Sequence, residues 1–347
     1  MQVDWELAAR IARSAGGDSP PSLPPAGLAE TAAAARDQIV AATGLVPAGE
    51  LPPAEWVDRG AWIDANLTTM RSTLGPVLEA AAGGSEPASG PLGALQNAGG
   101  AVVAAEIGAL LGMFSRRVLG QYELDLTDPD APSRLLLVGP NLDRAARELD
   151  ADREELVTWV TLHEVTHAVQ FGAVDWLRPR LGGALKELLG VMDMKVDPRA
   201  LLKLGVDDLK ELVESVREGG LVGVVMGAER KALLDRVQGT MGLVEGHAEW
   251  AMDRAGGEVL RDVDGLRAAM ERRREDRAPL LRILDRLLGF DLKLKQYAQG
   301  RVFCDAIVAA RGEAGLRDAW SAPELAPTSA ELAAPGTWLA RTRPAAA

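Results

Sequence analysis

Over most of the chain, apolar positions recur at intervals of three and four residues, the spacing that lines one face of an α-helix. Residues 4–14 predict a short first helix, followed by a Gly/Ser/Pro loop from Ser14 to Pro25. The Ala-rich stretch 27–44 predicts a second helix, with Gly44 as its stop. Pro52 and Pro53 then punctuate the chain before a helix predicted over 54–82. Gly83 to Gly100 is loose in texture, rich in Gly, Ser, Pro and Ala, and is the best internal boundary. It divides an N-terminal helical region, 1–95, from a core of 96–347. The helical pattern resumes over 101–118.

After Gly120 the period changes. Tyr122 to Leu126 alternates and Arg134 to Val138 is a short apolar run, with turn chemistry from Asp128 to Pro132 between them. This predicts a hairpin or a pair of strands; no other segment reads as a strand. Asp152 and Glu155 form a D-x-x-E capping box that opens a helix over 153–172. Residues 181–254 read as several helices separated by Gly and Pro, and 260–313 are again helical. From Ser321 on, Pro323, Pro327, Pro335 and Pro344 predict a mostly extended tail. The fold class expected is mainly α (α+β), a helical domain with a small β-sheet or hairpin just before the 153–172 helix.

Composition narrows the partners. The net charge of −12 argues against nucleic acid, because phosphate binding needs a basic surface. The run Arg272-Arg273-Arg274 is broken by Glu275 and Asp276 and reads as a solvated helix face. Cys304 is the one cysteine, so no internal disulfide forms, which suits a reducing compartment. Met1 to Trp5 shows no signal-peptide pattern. Gly99 to Phe114 is interrupted by Glu106 and is too short to span a bilayer. The expectation is a cytoplasmic protein with no membrane partner.

The chemistry is concentrated in Trp159 to Gln170, which contains His163-Glu164-Val165-Thr166-His167. On a helix, residues four apart share a face, so both imidazoles can reach one metal ion. Neutral imidazole suits Zn²⁺, whose catalytic sites use three protein ligands and a water. Glu164, beside the first ligand, is placed to take a proton from that water as it attacks a carbonyl. The pattern predicts a helix whose other positions, Val160, Leu162, Val165, Ala168 and Val169, are buried. The alternative is a pair of hydrogen-bonded core histidines with Glu164 as a surface charge.

A third ligand must come from elsewhere. The extended metzincin pattern would require Gly and His where this chain has Gln170 and Ala173. The segment Val244 to Trp250 offers Glu245, His247 and Glu249. Glu245 and Glu249 are four apart and share a helical face, as in the gluzincin branch, where the second acid orients a metal-bound histidine. Gly242 and Gly246 would let this helix approach a neighbour closely. Glu245 is preferred as ligand; His247 stays open as an alternative ligand or transition-state donor, and a plain amphipathic helix as the bland reading.

Taken together, LHEVTHAVQF (162–171), LVEGHAEWAMD (243–253), KQYAQGRVF (295–303) and PGTWLAR (335–341) resemble the bacterial zincin-like metallopeptidase family of candidate hydrolases. VDWELAARIA (3–12), LGQYELDL (119–126) and LLLVGPN (135–141) resemble its branch named for association with coenzyme F-420 biosynthesis. The resemblance runs from residue 3 to residue 341. It implies a zincin fold and a zinc site, and supplies no substrate.

Two further expectations attach to the site. Tyr297, near Lys295, Gln296 and Arg301, could stabilise an oxyanion, or else simply pack on its helix. Leu135 to Val138 could be an edge strand that holds an extended peptide by main-chain hydrogen bonds, or an ordinary hairpin strand. The leading expectation is a zinc-dependent hydrolase, a metallopeptidase or amidase, with His163, His167 and Glu245 on the metal, Glu164 as base and Glu249 supporting. The competing one is a non-catalytic zinc-stabilised scaffold or accessory protein linked to coenzyme F-420 biosynthesis. An F-420-binding oxidoreductase is disfavoured, because no G-x-G-x-x-G follows a strand and no βαβ alternation is visible.

Overall fold

The computed structural model describes residues 3–81, 91–128, 130–192, 228–275 and 295–342. By contact density the chain divides into two compact units, one of Met1–Asp193 with Ala251–Val263, the other of Met194–Trp250 with Asp264–Ala347.

The first unit begins with α1 (Trp5–Gly16), capped by the Asp4 carboxylate, which accepts from the Leu7 N–H. α2 (Leu28–Thr43) ends at Gly44, whose φ of 71° is the left-handed cap that a side chain would disfavour. Residues 54–57, expected to be helical, instead form strand β1 (Ala54–Val57). The helix starts only after it, as α3 (Arg59–Ala81), because the Asp58 carboxylate accepts from the Ala61 N–H and caps it there. α4 (Pro91–Ser115) begins ten residues earlier than its apolar pattern suggested. Among the described residues no helix is long and apolar enough to cross a membrane.

Strands β2 (Gly120–Glu123) and β3 (Arg134–Val138) follow, then α5 (Gly139–Leu149), which the hydrophobic pattern did not reveal. β2 starts two residues before the alternating segment that predicted it. The sheet has three strands in the order β1-β3-β2, with β1 parallel and β2 antiparallel to β3. β3 is therefore central, not an edge strand, and cannot add a peptide. Its Leu135, Leu136, Leu137 and Val138 are at most 1% exposed, and each such side chain contributes roughly 1.5–3 kcal/mol by leaving water.

α1 lies along α4 at backbone contact distance. A Cβ on Gly108 or Gly112 would stand 2.5 Å from the Ala8 carbonyl oxygen or the Ala15 Cβ, so only glycine fits there. Val57, Trp62, Ile63, Ile107, Leu111 and Leu136 fill the core between these helices and the sheet. β2 is stitched to α3 by a row of side-chain hydrogen bonds. Asn66 pairs with Gln121, Thr69 donates to Glu123, and Ser72 donates to Asp125. Every third helical residue thus meets every second residue of the extended segment, which fixes the register of β2.

α6 (Arg153–Ala173) carries the HEVTH sequence and contacts α2, α5, β2 and β3. Asp152 caps it by accepting from the Glu155 N–H at 3.0 Å. The second half of the expected capping box is absent: the Glu155 carboxylate turns instead to the Arg261 N–H and Nε. α7 (Leu177–Met192) closes the first part of this unit. Its Arg178 donates to the carbonyls of Asp125, Asp128 and Ala131 and holds the β2–β3 connection.

With α7, α8 (Ala228–Val259) gives the described part of 181–254 two helices, and the division between the units falls within α8. Predicted helical positions from 193 to 227 lie outside the described residues. The next described helices are α9 (Val263–Glu275) and α10 (Lys295–Ser321), the latter kinked at Gly312 with φ 69°, and the predicted helical positions 276–294 lie outside the described residues. In the second unit α8 and α10 cross at glycines. A Cβ on Gly246 would stand 2.1 Å from the carbonyl carbon of Gly300.

The tail is helical, not extended: a 3-10 turn (Pro323–Leu325), α11 (Ser329–Ala333) and α12 (Pro335–Arg341). Pro323 and Pro335 occupy first helical turns, where the missing N–H costs nothing. Thr328 and Glu331 form a complete capping box. Trp338 is fully buried, edge-on to Phe303 of α10, and its indole N–H donates to the Leu325 carbonyl. Mainly helical with one small sheet before the HEVTH helix is thus the observed class.

Candidate metal centre

α6 is buried on nearly every side, with Leu156, Val160, Leu162, Val165, Ala168 and Val169 at 4% exposure or less. Its polar groups must therefore be satisfied within the protein. His163 and His167, one turn apart, bring their Nε2 atoms to 3.2 Å, with the rings nearly perpendicular. The outer nitrogens are also engaged. Nδ1 of His167 lies 3.0 Å from Oε1 of Gln170, and Nδ1 of His163 lies 3.3 Å from Sδ of Met252. Both partners can accept; in the tautomer that donates to them, each Nδ1 carries the proton and both Nε2 atoms present lone pairs.

Two lone pairs facing each other at 3.2 Å repel unless a cation lies between them. Two nitrogens, each about 2.0–2.1 Å from a tetrahedral zinc ion, stand roughly 3.3 Å apart. The imidazole pair therefore fits that metal without rearrangement. Among the described residues, His163, His167 and Glu245 offer ligand atoms that all lie within 4.8 Å of one another. Two imidazoles and a carboxylate are the donor set of an open zinc site.

Glu164, next to His163 on α6, reaches into β2. It is 7% exposed, and its Oε2 accepts from the Tyr122 backbone N–H at 2.8 Å. The register of β2 turns that N–H away from β3, so Glu164 sits on the outer edge of the sheet. Gly120 leaves the room: a Cβ there would stand 2.7 Å from Glu164 Cγ and 2.8 Å from Val160 Cγ1. The Tyr122 ring packs against Phe171, one helical turn beyond His167. Burial raises the pKa of its phenol.

The other candidate residues are distributed as follows. His247 is 2% exposed, stacked on Trp250 and edge-on to Trp320 at 4.8 Å. It is not part of the donor group formed by His163, His167 and Glu245. Glu249 lies one turn after Glu245 on α8, where its charge reaches Cys304 of α10. Burial, above all, pushes that thiol well up, so Cys304 is inert. Tyr297 falls in the first turn of α10, but its side chain is outside the described residues.

Four contributors were not anticipated from the sequence: Gln170, Met252, Gly120 and the Tyr122 N–H. Gln170 could have been found, since it lies three residues after His167 and seven after His163, on the same face. The others depend on contacts between distant segments.

A crystal structure of a candidate hydrolase with a novel fold from Chloroflexus aurantiacus superposes with a TM-score of 0.71, at 28% identity, over 98% of each chain. No curated protein matches the chain. The family model described as zincin-like metallopeptidase matches residues 3–339. The chain therefore belongs to the zincin-like metallopeptidase family.

Proposed function

We propose that the protein is a zinc-dependent hydrolase that cleaves a peptide or amide bond. The observation that carries this reading is the pair of Nε2 atoms at 3.2 Å, each with its Nδ1 tied off by an acceptor. His163, His167 and Glu245 would hold the ion. Zinc there supplies Lewis acidity, polarising a carbonyl and making a water acidic near neutral pH. Glu164 follows His163 directly, and its Oε2 accepts from the Tyr122 N–H. It would accept the proton of the attacking water and pass it to the leaving amine. The Tyr122 N–H anchors the carboxylate and keeps it from swinging away.

The substrate would lie along β2. Its outer edge, unlike β3, has backbone groups that are not used within the sheet. An extended peptide fits such an edge by main-chain hydrogen bonds.

The test separates metal binding from chemistry. Zinc content is measured in wild type, His163→Ala and Glu164→Gln, and hydrolysis is assayed with a mixed peptide library. The reading expects zinc in wild type and Glu164→Gln but not in His163→Ala, with Glu164→Gln slowed by roughly 10²–10⁴. Zinc bound but no hydrolysis by wild type would leave only a metal-stabilised scaffold, and hydrolysis unchanged in Glu164→Gln would remove Glu164 as the base.

A further inference from the structure

Between α1 and α2 the chain reads GDSPPSLPPAG (17–27). Gly17 and Gly27 bound this strap, both in the left-handed region at φ 65° and 76°. Each proline fixes its own φ at about −65°. Ser19, Pro20, Leu23 and Pro24 each precede a proline, which keeps them extended. Such a segment forms a polyproline II helix, with about three residues per turn. Burial follows that period. Ser19, Ser22 and Pro25 are half-buried, whereas Pro20, Pro21, Leu23 and Pro24 are exposed.

The fold accounts for the inward edge. The carbonyls of Asp18, Ser22 and Leu23 accept from the Arg59 guanidinium, the Trp56 indole and the Arg153 guanidinium. Ser19 Oγ accepts from the Arg59 backbone N–H, and a Cβ on Gly139 would stand 2.7 Å from Ser22 Oγ. Nothing in this anchoring requires the outward side to be apolar. Yet Leu23 is 80% exposed, the most of any large apolar side chain among the described residues. With Ser22 turned inward, the outward side consists of two apolar–proline pairs, Pro20-Pro21 and Leu23-Pro24, one turn apart.

We propose that this strap docks a protein partner that binds polyproline II helices through an aromatic-lined groove. Pro21 and Pro24 have the P-x-x-P spacing that such grooves accept. The two apolar–proline pairs offer the groove a ridge each, and the third edge stays on the protein body. Hydrogen bonds hold the strap in shape beforehand, so docking costs little conformational entropy. Asp18 is exposed one turn before Pro21, in a chain of net charge −12. Charge complementarity therefore puts a basic residue at that end of the partner's groove. The inference goes beyond the proposed hydrolysis and is independent of it, since no residue of the strap belongs to the metal centre.

Calorimetric titration of the full chain tests it. The probes are purified SH3 and WW domains, one of each with a basic groove rim and one of each with an acidic rim. Saturable binding of a basic-rimmed domain is expected, severalfold tighter than of its acidic-rimmed counterpart. Leu23→Ser should weaken it at least tenfold at an unchanged Tm, because the side chain it alters is exposed. Asp18→Asn should weaken it severalfold. Val46→Ser, at an apolar side chain 67% exposed outside the strap, should bind as wild type does. No saturable binding of any probe, undiminished binding by Leu23→Ser, an equal loss in Val46→Ser, or preference for the acidic rims overturns the proposal.

Discussion

Gly120 and Glu164 touch in a way that admits no side chain at position 120: a Cβ there would stand 2.7 Å from Glu164 Cγ and 2.9 Å from its Oε1. A strand residue 44 positions earlier in the chain thus sets where the proposed base can sit. Gly120→Ala is expected to displace the carboxylate from the Tyr122 N–H. Overpacking of this kind costs about 1–3 kcal/mol. Hydrolysis should fall while zinc stoichiometry stays at the wild-type value, because the atoms nearest such a Cβ belong to Glu164 and Val160. Metal analysis and thermal unfolding of the same sample check both halves.

Gln170 acts on the metal centre through His167, to whose Nδ1 it offers an oxygen at 3.0 Å. Removing such a partner typically weakens metal affinity by 10–100-fold. Gln170→Leu, which keeps the buried volume, should do so in competition with a chelator of known affinity. Met252→Leu should cost much less, since a thioether is a weak acceptor. Equal losses in the two variants would show that packing, not the hydrogen bond, is what counts.

Acid should loosen the C-terminal helices. Burial alone would raise the Glu331 carboxyl, but the Arg341 guanidinium and the Thr328 N–H and hydroxyl outweigh it and hold the pKa below the usual value. A carboxyl whose folded pKa is depressed adds stability that is present above its unfolded pKa of about 4.3, and that is lost as pH falls through the folded value. Glu331→Gln should therefore lower stability at pH 7 by about 1.5–3 kcal/mol, the worth of hydrogen bonds to a charged group. The difference from wild type should shrink towards zero below pH 4 in urea unfolding curves.

Gly246 and Gly300 are the crossing point of α8 and α10. Gly246→Ala would put a Cβ 2.1 Å from backbone, where no rotamer relieves it. The helices must separate, at a cost of about 1–3 kcal/mol or more. Glu245 is the preceding residue, so zinc affinity should fall together with Tm. Gly257→Ala, later on the same helix with open space around its Cβ, is the control and should be neutral or slightly stabilising.

What was legible in the sequence was what local spacing encodes. The i, i+4 imidazoles, the Asp152 cap and the buried faces of α6 depend on neighbours within one or two turns. Sheet order is not local. β1 is four residues long and pairs with residues 81 positions later, so its pattern alone could not distinguish it from the start of α3. The same reason hid the central place of β3 and moved the free edge to β2. Pro-rich texture misled in the tail, where Pro323 and Pro335 begin helical turns and Trp338 supplies the burial that holds them. At the site, Glu164 was recognisable as the candidate base, but its hold on the Tyr122 N–H required the strand to be in place.

Zinc stoichiometry of the chain purified without added metal or chelator is the most direct measurement, made on wild type, His163→Ala and His167→Ala. One zinc per wild-type chain, falling below a tenth in each folded variant, is the predicted result. A well-folded wild type with no zinc, or variants that keep it, would contradict the account.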